Sequence, residues 1–167
     1  MDRTPDREAH TDSMLMWHEA TTFIAAAVAI PHYRTPRLHL AAHGIELALK
    51  SHLRATGYTL DQLQRIRHSL VTALNRCVAL GMVEPSDDDR HRLRFLSDAH
   101  ANHEWRYAHT DKPPHMDWSD WISVAAWSLR AAIPAVATNT AKHSTEVPVY
   151  KRRMEVDVVR ALNPDVD

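Results

Sequence analysis

At 167 residues with a formal net charge of −1, the chain fits one domain and exerts no global attraction on nucleic acid or anionic lipid. Only Gly44, Gly57 and Gly81 are glycines, which argues against an all-β fold with many tight turns. A single cysteine, Cys77, excludes an internal disulfide framework and suits a reducing cytoplasm.

Residues 1–11 are charged and polar, read as disordered, and carry no signal-peptide pattern. Asp12 or Ser13 is expected to cap a first helix that runs to about Ile30, before Pro31. Its apolar run Phe23–Ile30 is far too short to span a bilayer, so no membrane partner is expected. Pro36 opens a second helix and Gly57 closes it. A third helix is expected from about Leu60 to Leu80, ended by Gly81, with Cys77 as a small buried hydrophobe. Ser86 and the acidic Asp87, Asp88 and Asp89 start a fourth, which continues to about His109. A fifth covers roughly Trp118–Asn139, where Pro134 is a candidate kink or early end. Trp118, Trp121 and Trp127 read as core or interface anchors rather than a base-stacking platform. The basic runs Arg90–Arg94 and Lys151–Arg153 read as solvated faces. The sequence thus predicts an all-α antiparallel bundle of four to five helices over residues 12–141. Residues 142–167 form a tail or a short extra element.

The second helix has an unusual pattern. At about 100° per residue, Leu38, Ala41, Ala42, Ile45, Ala48 and Leu49 share one side, while Leu40 and Leu47 point nearly opposite. His39, His43, Glu46 and Lys50 form a narrow polar stripe between them. A stripe flanked by apolar surface on both sides is expected to be at least partly shielded by neighbouring helices or by a partner subunit. Glu46 and Lys50 have the favoured order for an i,i+4 ion pair, and two readings follow: a bare pair, or a shielded seam that orients a partner group. His39/His43 and His100/His103 each lie one helical turn apart, as zinc or nickel ligands on facing helices could. Thirteen histidines produce such spacings by chance, and there is no HEXXH pattern, so no metal ligand or other cofactor is assigned, and a metal-binding helical bundle stands only as a further alternative.

IELALKSHLRATG followed by RHSLVTAL resembles the HEPN superfamily of small helical domains. The matching residues are Glu46, Leu47, Leu49, Lys50, Leu53, Gly57, His68, Leu70 and Leu74. HEWRYAH, residues 103–109, looks like the arginine-tyrosine motif of one part of that superfamily. The resemblance spans about residues 14–135 and implies a bacterial cytoplasmic protein of defence or toxin–antitoxin context, acting as a homodimer. Active members are metal-independent ribonucleases that pair an arginine with a histidine a few residues later. The histidine serves as general acid or base and the arginine holds the phosphate. Here the candidates are Arg94 with His100, where Phe95 replaces the usual polar residue, and Arg106 with His109. The arginine-tyrosine subgroup is regarded as non-catalytic, which implies a binding or partner protein, with RNA, a nucleotidyltransferase-like protein or an antitoxin as partner. By helical spacing, His103, Arg106 and Tyr107 join His100 on one side of the fourth helix. That patch is expected to face Glu46 and Lys50 as a binding site for an anionic ligand or RNA phosphate; the alternative is a Glu46–Arg106 ion pair with Trp105 and Tyr107 packed.

Overall fold

A computed structural model describes residues 5–30, 34–101, 118–141 and 147–163, and every regular element among them is helical. The helices are α1 (Pro5–Ala29), α2 (Arg34–Ala55), α3 (Leu60–Ile66), α4 (Leu70–Ala79), α5 (Asp87–Ala101), α6 (Trp118–Thr140) and α7 (Val147–Leu162). α2 is the central helix: it packs along α1 and also meets α3, α4, α5 and α6. This centrality explains its two apolar sides, because neighbours cover it almost all round. The core gathers Trp17 and Ile24 from α1, Ile45, Leu49 and Leu53 from α2, Leu74 from α4, Leu93 and Leu96 from α5, and Trp121 and Leu129 from α6. Each of these large side chains contributes roughly 1.5–3 kcal/mol by leaving water. Trp17 is fully buried and its indole N–H donates to the Leu129 carbonyl at 3.2 Å, so the ring brings no unsatisfied donor into the core.

Gly44 sets the spacing of α1 and α2. A Cβ built there would lie 2.7 Å from Ile24 Cγ1 and 3.0 Å from the Ala20 carbonyl oxygen. Gly44→Ala gains helix propensity but must push the two helices apart. A net loss of about 1–2 kcal/mol is expected in urea denaturation.

Local signals fix most helix ends. Gly57 and Gly81 have φ of 110° and 89°, and each closes its helix with paired backbone bonds: Tyr58 to Leu53 at 3.0 Å, Met82 to Cys77 at 3.0 Å. Thr59 and Gln62 form a reciprocal capping box at α3, and the Ser69 hydroxyl accepts from the Thr72 N–H at 3.2 Å at α4. Ser86 caps α5 in the same way, through the Asp89 N–H at 3.1 Å.

Two expectations change, and two points that the sequence leaves open are decided. The single helix over 60–80 is two, α3 and α4, because the Ile66–Ser69 turn intervenes. α1 starts at Pro5, not at Asp12 or Ser13. Those two residues make tertiary contacts instead: Asp12 Oδ2 lies 2.9 Å from the Arg54 guanidinium, and buried Ser13 accepts from the Asn139 amide at 3.2 Å. Pro134 does not end α6, which runs through it to Thr140, the packing of the helix on α1, α2, α5 and α7 outweighing one lost backbone bond. The C-terminal segment contributes α7, which lies on α1 and α6 and buries Met154 and Val158.

Within α6, the stretch Trp121–Thr140 is long and apolar enough to cross a membrane by length and composition, and half of it is buried in the bundle. Trp121 is buried and Trp127 half-buried against the core, as anchors; the Trp118 side chain lies outside the described residues. Cys77 is fully buried, its thiol donates to the Leu49 carbonyl at 3.3 Å, and burial pushes its pKa far up, so it is an inert core residue.

Candidate functional site

The polar stripe of α2 leads to the most polar buried point among the described residues. Glu46 is 3% exposed, yet its carboxylate is surrounded by donors. Lys50 Nζ donates to Oε1 at 2.5 Å. The other oxygen, Oε2, lies 2.7 Å from His100 Nε2, 3.1 Å from His68 Nδ1 and 3.8 Å from His43 Nδ1. His39 stands beside this group, its ring centroid 5.9 Å from that of His100. Burial alone would raise the Glu46 pKa. The hydrogen bond to His100 and the nearby His43 imidazole, with the charge of Lys50, outweigh it and hold the carboxyl well below the usual range. The site therefore favours the ionised form of this carboxylate.

Four elements assemble it. α2 supplies His43, Glu46 and Lys50 at spacings of three and four, along one line of the helix. α5 supplies His100, which continues the buried face of Leu93, Leu96 and Ser97. The Ser97 hydroxyl accepts from the Val71 N–H at 3.3 Å, which clips α5 to the first turn of α4 and brings His100 beside His68, ring centroids 5.4 Å apart. α1 supplies Phe23, whose ring meets His43 edge-on at 4.5 Å. His43 and His68 are about one-third exposed at the mouth, while Glu46 and His100 form the buried floor.

His68 reaches the carboxylate through a turn that glycine would normally build. Arg67 has φ 53° and ψ −126°, and the Ser69 N–H donates back to the Ile66 carbonyl at 3.4 Å, the geometry of a type II′ turn with arginine at its first central position. Lys50 Nζ holds the Arg67 carbonyl at 2.8 Å, so the seam retains the turn that carries His68. The strain is local and the Arg67 side chain is exposed. Arg67→Gly is expected to raise stability by about 1 kcal/mol in urea denaturation while leaving the cluster intact.

The structure brings together Glu46, Lys50 and His100 of the expected site residues. Arg94 lies on the exposed side of α5 and His100 on its buried side. His103, Arg106, Tyr107 and His109 lie outside the described residues. Among the described residues, His100 and His68 face Glu46. Sequence reasoning undervalues His43 and His68. The signal for His43 is its position on the stripe, and for His68 its place in RHSL, immediately before the Ser69 cap.

A second buried histidine lies on another side of α2. His52 is 4% exposed and neither ring nitrogen has a hydrogen-bond partner. It borders a cavity of about 280 Å³ lined also by Thr56, Thr138 and Asn139 and by apolar residues such as Ala55, Leu80 and Pro134. Loss of hydration lowers its pKa from 6.5 to about 4. Comparison with protein-family models, with curated proteins and with solved structures gave no match for this chain.

Proposed function

We propose that the chain is a HEPN-like helical protein that acts by binding rather than by catalysis, as a homodimer in a bacterial cytoplasm, in a defence or toxin–antitoxin setting. The observation that carries this reading is the convergence of Glu46, Lys50 and His68. These residues carry the resemblance, and they meet in one hydrogen-bonded site although 22 positions separate Glu46 from His68. A helix-packing pattern alone does not require its polar members to share one carboxylate. The placement of Arg94 on the exposed side of α5 and of His100 on its buried side supports binding over a ribonuclease site built within one chain. An open apolar groove of about 520 Å³, lined by Val83, Trp127, Ala131 and Pro134, supports a partner surface. The partners in this reading are a second copy, RNA, and a nucleotidyltransferase-like or antitoxin protein.

Incubating the purified protein with RNA in EDTA tests the reading. No cleavage is expected. Metal-independent cleavage that disappears in His100→Ala or His109→Ala would establish the ribonuclease alternative and overturn the proposal. Sedimentation analysis is expected to give a dimer.

A further inference from the structure

We propose that His43, Glu46 and His100 bind a divalent first-row transition cation, with His68 as an additional donor at the mouth of the site. The ligand atoms of His43, Glu46 and His100 all lie within 4.8 Å of one another. Nitrogen and oxygen donors about 2.1 Å from a tetrahedral ion stand about 3.4 Å apart. The two imidazole contacts to Glu46 Oε2, 2.7 Å from His100 and 3.8 Å from His43, straddle that separation, and the His68 contact at 3.1 Å falls close to it. Small rotations therefore close a coordination shell around one ion, and His43, at the rim, has room to make the largest of them.

The arrangement has three marks of a ligand site rather than of a plain ion pair. First, three imidazole nitrogens converge on the same carboxylate oxygen. One cation would satisfy the whole excess of Glu46, and Lys50 already supplies it. Second, Lys50 occupies Oε1 and is itself held by the Arg67 carbonyl at 2.8 Å. It thus orients the carboxylate from behind and leaves Oε2 toward the imidazoles, which is the arrangement an outer-shell partner gives a metal ligand. Third, the floor of the site is buried while His43 and His68 are part-exposed, so an ion has an entry path. Lys50 offsets the charge of Glu46, leaving a neutral donor set, and neutral three-histidine sets bind zinc in proteins. The predominance of nitrogen donors selects zinc, cobalt or nickel over magnesium or calcium.

This inference stands on the cluster's own geometry and is independent of the HEPN-like reading, since an ion can bind whether or not the protein has an RNA or protein partner. Untagged protein, stripped with chelator and exchanged into metal-free buffer, is titrated with zinc chloride by calorimetry and with cobalt chloride by visible absorption. One equivalent is expected to bind, and cobalt is expected to develop the ligand-field bands of nitrogen–oxygen coordination. His43→Ala, at the rim, is expected to keep its circular dichroism spectrum and to weaken zinc binding by at least about tenfold. His91→Ala, on the exposed side of α5, is expected to leave binding unchanged. Absence of stoichiometric binding to the folded wild type overturns the site. So does equal affinity in folded His43→Ala and His100→Gln, which would assign any binding to histidines elsewhere.

Discussion

Replacing Glu46 with leucine is expected to destabilise the protein by about 3–5 kcal/mol, measured by urea denaturation at neutral pH in the presence of chelator. Glu46 is the only anion among the described side chains that meet at this point, and it serves α2, α5 and the turn before α4 together. Its loss leaves Lys50 Nζ, on a side chain only 14% exposed, held by the Arg67 carbonyl without its carboxylate. It also removes the carboxylate that buried His100 Nε2 meets at 2.7 Å. Removing one partner of a buried pair costs more than removing both, because the survivor keeps its desolvation cost without compensation. Glu46→Leu with Lys50→Met is therefore expected to recover part of the loss, and the double-mutant cycle measures the coupling. A loss below about 1 kcal/mol for Glu46→Leu alone would falsify the view that this carboxylate organises the packing of α2 against α5.

The second large effect is on pH dependence, and it comes from His52. In the unfolded chain its imidazole titrates near 6.5, whereas in the folded protein burial lowers the value to about 4. Between these values the unfolded state binds the proton and the folded state does not. His52 therefore leaves stability intact above about pH 6.5 and withdraws it as the pH falls toward 4. The span corresponds to about 3 kcal/mol. None of the residues that line the adjoining cavity with it carries a charge to offset this. His52→Leu, similar in volume and free of buried unpartnered nitrogens, is expected to be at least as stable as the wild type at pH 7. Between pH 7 and pH 4 it is expected to lose about 3 kcal/mol less than the wild type. Because the carboxylates titrate in both proteins, the difference between the two curves isolates His52. Parallel curves would show that the imidazole gains a partner on protonation.

Much of the local architecture is legible in the residues themselves. Gly57 and Gly81 end their helices because each requires a positive φ that few side chains accept. Ser69, Thr59 and Ser86 are cap residues by chemistry, although only Ser86 stands out in the sequence as marking a start. The stripe His39, His43, Glu46, Lys50 is visible as a shielded seam because a helix with apolar residues on both flanks has to be covered by neighbours. Errors arise where tertiary contacts outcompete a local signal. Asp12 and Ser13 look like caps but are drawn into pairs with Arg54 and Asn139, so α1 extends past them. Arg67 at φ 53° carries no glycine signal, and the break it makes between α3 and α4 is hidden by an apolar pattern that runs on across it.

Residue identity and order are enough for the all-helical class, the shielded place of α2, the inert burial of Cys77 and the position of Glu46 and Lys50 on a seam. Helical periodicity and turn chemistry act over a few residues, and each of these features needs no more than that. What faces the seam is a matter of tertiary packing. His68 and His100 lie 22 and 54 positions from Glu46, and their arrival depends on the turn at Arg67 and on the Ser97 clip between α5 and α4. A spacing rule within one helix cannot say which turn of another helix will meet it, because that is set by how the cores interlock. For this reason Arg94 and His100, well spaced in sequence, diverge in space, while His43, His68 and His100, unrelated in sequence, converge on one oxygen.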